Sequence, residues 1–86
     1  MCTYLTQTLD VAGSGKGATG WFPLTRASVY LDHPQHAPGD HTLNIDFLNP
    51  VQGPAARVAV ELTAGSARAL AAAIESALAA APPGLA

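Results

Sequence analysis

Four stretches of the chain alternate polar and apolar residues with a period of two, and one stretch repeats with a period near 3.6. In CTYLTQTLDV, residues 2–11, Thr3, Leu5, Gln7, Leu9 and Val11 share one side, and the leucines and valine mark it as the core side. WFPLTRASVYLDH, 21–33, sets Ala27, Val29 and Leu31 against Arg26, Ser28, Tyr30 and Asp32, with Pro23 near its start, where a missing N–H is tolerated at an edge or a bulge. HTLNIDFLN, 41–49, points Leu43, Ile45 and Phe47 inward and Thr42, Asn44 and Asp46 outward. AARVAVEL, 55–62, does the same with Val58, Val60 and Leu62 against Arg57, Ala59 and Glu61. The period then changes: Leu70, Ile74 and Leu78 recur at i, i+4 and i+8, a narrow stripe on a helix over about 64–81. Thr63 is placed to cap it, and Pro82, Pro83 and Gly84 stop it ahead of a tail at 82–86.

The order β-β-β-β-α, with short connections, predicts an α+β fold: a four-stranded antiparallel meander with one C-terminal helix packed on one face. Residues 1–86 are expected to form a single domain. AGSGKGATG, 12–20, reads as a glycine-rich connector between the first two strands. A phosphate loop is disfavoured there, because Lys16 precedes Gly17 rather than Ser or Thr and the segment leads to a strand instead of a helix. The face away from the helix mixes Tyr4, Phe22, Leu24, Tyr30, Leu48 and Ala59 with Arg26, Asn44, Asp46, Arg57 and Glu61. That mixture suits a subunit interface or a shallow pocket.

The blocks MCTYLT, GSGKG, GWFPLT, DHPQHAP, HTLNIDFLNP, GPAARVAVELT and SARALAAAI together resemble an uncharacterised family of short actinobacterial proteins. The resemblance spans about residues 1–80. It implies no activity and assigns no catalytic residue.

Composition narrows the readings. Of the 49% hydrophobic residues many are alanine, so the bulky core is thin and oligomerisation is an expected aid to stability, as a homodimer or larger. Net charge is −2 and the four basic residues, Lys16, Arg26, Arg57 and Arg68, lie far apart, which gives no patch for nucleic acid. Nothing reaches the roughly 18 apolar residues of a membrane span, and no charged, then apolar, leader opens the chain. A cytoplasmic location is expected, with the lone Cys2 reduced.

The candidate chemistry gathers in DHPQHAPGDH, residues 32–41, which holds all three histidines. If Asp32 and Thr42 pair, His33 and His41 face each other at the mouth of a hairpin, where Cβ atoms about 4.5–5.5 Å apart let two imidazoles share an ion. Parity assigns both rings to the helix-covered face, and His36 in the loop can fold back over them. Neutral imidazole suits zinc, copper, nickel or iron, and three such ligands leave a position open for water or a small-molecule substrate. Removal of Met1 would leave Cys2 at the start of the first strand, near the same mouth, as a fourth ligand, although its parity places it with Tyr4 on the other face. The expected metal set is therefore His33, His36, His41 and Cys2, binding a divalent transition metal. A second expectation is a non-catalytic homo-oligomeric interaction domain that uses the open sheet face. A third, Cys2 activated by His33 or His41 as a nucleophile, lacks an orienting group and an oxyanion hole. Asp32 and Asp46 with Asn44 and Arg57 read as a polar, ion-paired surface.

Overall fold

The computed structural model describes residues 5–32 and 41–84. Four strands, β1 (Thr6–Gly17), β2 (Gly20–Asp32), β3 (Thr42–Leu48) and β4 (Arg57–Leu62), precede one helix, α1 (Ala64–Ala79). The strands form one sheet in the order β1-β2-β3-β4, and every neighbouring pair is antiparallel. The meander with a C-terminal helix is thus the architecture that the periodicity predicts.

The first hairpin departs from expectation. Most of the glycine-rich segment is strand, not connector: β1 continues to Gly17, and the turn is only Ala18 and Thr19, closed by the Gly17–Gly20 pair. Gly20 takes φ 126°, a value that side chains resist and glycine adopts freely. The glycines at 13, 15 and 17 alternate along one face, opposite Leu24, Phe22 and Gly20. A Cβ built on Gly15 would lie 3.1 Å from the Leu24 side chain, and one on Gly17 would lie 3.1 Å from Phe22. These two large side chains therefore rest against bare backbone. Packing offsets the 0.5–1 kcal/mol or so that each glycine costs a strand.

Between Asp10 and Gly13 the register slips by one, with Val11 and Ala12 opposing Thr25. The bulge keeps Asp10 and Gly13 on one face and bends the long hairpin. Pro23 lies past the last β2–β3 pair, Arg26 with Leu48, where β2 has a strand on one side only. Its carbonyl is not idle: Asn49 Nδ2 donates to it at 3.0 Å. The Asn49 backbone N–H also reaches the Ala56 carbonyl at 3.0 Å, and its own carbonyl accepts from Gln52 N–H. One buried asparagine thus ties a short 3-10 turn, Pro50–Gln52, to the far end of β2.

Thr63 caps α1, its Oγ1 accepting from Ser66 N–H at 3.2 Å and donating to Ser66 Oγ at 2.9 Å. The helix ends at Ala79, two residues earlier than the stripe suggests. It stands against Val29, Leu43 and Ile45, leaving a groove of about 350 Å³ lined also by Ala67, Arg68, Leu70, Ala71 and Ile74. Burial is scant. Among the described residues, buried apolar side chains are confined to Ala27 and Ala56.

Candidate functional site

Cross-strand register sorts the two faces of the sheet. On the helix side, Ala27, Phe47 and Val58 form one row, Val29, Ile45 and Val60 the next, and Leu31, Leu43 and Leu62 the third. Leu9 opposes Ala27, and alternation adds Leu5 to the same side. The rows are apolar, yet Leu5 is 74% exposed, and Leu9 and Leu31 are exposed as well. The helix stripe above them fares no better, with Leu70 exposed, Ile74 at 52% and Leu78 at 60%.

Geometry explains the shortfall. A helix with its side chains is about 10 Å across, and strands lie about 4.8 Å apart, so one helix roofs about two strands of four. Its near-neighbours are β3 and β4. Leu5, Leu9 on β1 and Leu31 near the end of β2 stay open, whereas Ala27 of β2 is buried and Val29 lines the groove beside the helix.

The opposite face is polar and internally connected. Tyr30 Oη donates to Asp46 Oδ2 at 3.1 Å, and Arg57 Nη2 donates to Asp46 Oδ1 at 2.7 Å. Burial, and then the Asp46 carboxylate beside it, push the Tyr30 phenol above its ordinary value. Thr42 is fully buried and donates its hydroxyl to Asn44 Oδ1 at 3.1 Å, and Asn44 is buried too. Period-two reasoning assigned both to the outer face, and they lie there, but out of solvent. Alternation reports which side a residue takes and carries no signal for what covers it. Asp46 with Arg57 forms the ion pair expected of a polar sheet surface.

The histidine hairpin is reached only at its base. The β2–β3 ladder ends on the Asp32–Thr42 pair, the register on which a His33–His41 juxtaposition depends. His41 is half-buried just ahead of β3. His33, His36 and Cys2 lie outside the described residues, so the fourfold ligand set does too. Among the described residues no group of three or more His, Cys, Asp and Glu side chains is gathered for a metal ion. No described helix is long and apolar enough to cross a membrane.

Over residues 1–86 the chain matches a family described as "Family of unknown function (DUF6295)". No curated protein and no solved structure matches it.

Proposed function

The chain belongs to this family, whose description leaves function open, and from that premise we propose that it is a homo-oligomeric interaction domain assembling through the helix side of its sheet. The observation that carries the reading is the exposure of Leu5, Leu9, Leu31, Leu70, Ile74 and Leu78 on that one side. Contiguous apolar surface of this kind marks an interaction site in a folded domain. The opposite face, where the sequence pattern alone puts an interface, supports it less, because Tyr30, Asp46 and Arg57 already satisfy one another within the chain.

Sedimentation velocity on the untagged protein at micromolar concentrations tests the reading. A homodimer or larger is expected; a monomer throughout overturns it.

A second reading, favoured by the Asp32–Thr42 register, is that the same domain binds a divalent transition metal through His33, His36 and His41, with Cys2 as a further ligand. The open coordination position would then admit water or a small-molecule substrate. Elemental analysis of untagged protein purified without chelator decides it. Near-stoichiometric zinc, copper, nickel or iron, lost in His33→Ala and His41→Ala, is the expected result. A metal-free wild type that also takes up none of these ions when they are added overturns it.

A further inference from the structure

We infer that the cleft between the free edge of β2 and the turn before β4 binds a neutral pyranose, with Trp21 as its stacking wall. The cleft lies at the Gly17–Gly20 end of the sheet, away from the Asp32–Thr42 pair, and the inference does not depend on self-association.

The first observation is a pair of backbone groups turned toward that cleft. The β2–β3 ladder stops at Arg26 and Leu48, so β2 ahead of Arg26 has β1 on one side and no strand on the other. In an antiparallel ladder the N–H and C=O of one residue point to the same side, and those of its neighbour to the other. The Pro23 carbonyl points to the open side, because Asn49 Nδ2 reaches it there at 3.0 Å. Two residues earlier, Trp21 directs its N–H and C=O the same way. The facing turn does not take them up, since its backbone bonds close within it: Gln52 N–H on Asn49, Gly53 N–H on Pro50 and Ala56 N–H on Gly53.

The second is space. A cavity of about 210 Å³ opens here, bounded by Thr19 and Trp21 on the hairpin and by Gln52, Ala55 and Ala56 on the turn. Its two walls are held in place. Asn49 ties the turn to Pro23, and the Ala55 carbonyl comes within 3.9 Å of where a Gly17 Cβ would stand. The volume falls below the roughly 300–1,000 Å³ of sites for drug-sized ligands and suits a single substituted ring.

The third is the chemistry of the lining. No charged side chain belongs to it, which points to a neutral ligand; Lys16 pairs with Trp21 across the strands but does not line the cavity. Trp21 is 70% exposed, a rare position for so large an apolar side chain, and its ring is open to a ligand. The face of an indole is partly negative and attracts the partly positive C–H bonds of a sugar ring. The Gln52 amide and the Thr19 hydroxyl each offer both donor and acceptor, as a rim of hydroxyls requires. The neighbouring N–H and C=O of Trp21 match a vicinal diol, one hydroxyl accepting and the next donating. A pyranose unites an apolar face, adjacent hydroxyls and no charge. A free nucleobase would stack as well, but it has no hydroxyls for the strand edge.

Trp21 is the one tryptophan of the chain, so its fluorescence reports on the cleft directly. Methyl pyranosides of the gluco, manno, galacto and xylo series, each titrated to about 100 mM, serve as probes, with a saturable change expected for at least one at a dissociation constant on the order of 1–10 mM. Calorimetry with that glycoside should show binding about tenfold weaker in Trp21→Ala and about fivefold weaker in Gln52→Ala. Both side chains are exposed, so circular dichroism and the thermal midpoint should stay at wild-type values. No saturable response to any of the four series overturns the inference, as does binding that both variants retain. Adenine or uracil saturating the signal where the pyranosides do not would assign the cleft to a base and overturn it too.

Discussion

Replacing Ile74 by alanine tests what the exposed half of the helix stripe faces. Alanine is the better helix former by a few tenths of a kcal/mol, so if the exposed half faces water the change costs only the contacts made within the chain, less that small gain. At an interface a second loss is added. Ile74 is 52% exposed in the single chain. Full burial of an isoleucine side chain contributes about 1.5–3 kcal/mol, so covering the exposed half contributes about 1–1.5 kcal/mol in each copy. Two copies lose about 2–3 kcal/mol per dimer, a roughly 30- to 150-fold weaker dissociation constant. The half already covered inside the chain adds a loss that does not depend on concentration, and concentration therefore separates the two. Denaturant unfolding followed by circular dichroism at two protein concentrations tenfold apart supplies the contrast. In a dimer the midpoint of the wild type rises with concentration, each decade adding about 1.4 kcal/mol per dimer. Ile74→Ala should unfold earlier and lose that dependence at the lower concentration. A wild-type midpoint that ignores concentration, or an Ile74→Ala midpoint at or above wild type, would refute the reasoning.

Three further outcomes follow from single contacts. Thr63→Ala removes the acceptor for Ser66 N–H and should cost about 1 kcal/mol in thermal unfolding, with Thr63→Ser keeping most of it; equal losses in both would show that the hydroxyl is not the cap. Tyr30 holds its proton more tightly folded than unfolded, so its stabilising share is intact below its ordinary value of 10.0 and drains away as pH climbs through the raised folded value. Tyr30→Phe should accordingly flatten the fall in stability above about pH 10, and an unchanged alkaline slope would contradict this. Gly15→Val drives a branched side chain into Leu24, which lies 3.1 Å from the position of a bare Cβ, and should destabilise the hairpin by about 1–3 kcal/mol; Ser14→Val, at the neighbouring position on the other face, should cost much less.

How far the residues announce this structure depends on how many signals agree at each place. Leu43, Ile45 and Phe47 alternate with polar residues, are β-formers and are bounded by turn residues, and β3 and its neighbours follow directly. The first hairpin was harder because two rules conflict: glycine discourages strands, yet glycines at 13, 15 and 17 obey the strand period. Period prevails, since the vacated side-chain positions are filled by Leu24 and Phe22 from β2. That filling is a long-range fact, invisible in the segment itself. Asn49 is a similar case: nothing around Asn-Pro signals that its amide will bond a carbonyl 26 residues earlier. For the candidate site, alternation foresaw the two faces, and the Asp32–Thr42 pair on which the histidine argument is conditional is one the strands form, while the imbalance in coverage emerges only when one helix is measured against four strands.

Alanine content, which thins the core, also explains why an incomplete fold of this kind is workable. Half of the 16 residues of α1 are alanine. They bury little, but they hold the helix together through intrinsic propensity, aided by the Thr63 cap, at a length near the limit for helices that lack packing. Helix formation is thereby separated from helix burial: the first rests on alanine, the second on Leu70, Ile74 and Leu78 alone. A chain built this way presents an already formed stripe to a second copy, so assembly need not bear the cost of nucleating the helix. The polar face gains from the same division. With Tyr30, Asp46 and Arg57 bonded to one another and Thr42 bonded to Asn44, that side has no need of a partner and can stay outermost when the apolar sides meet. The Asp32–Thr42 end of β2 and β3, where the histidine segment begins, belongs to the strands and not to the helix, so changes to the stripe and changes to the histidines should act independently.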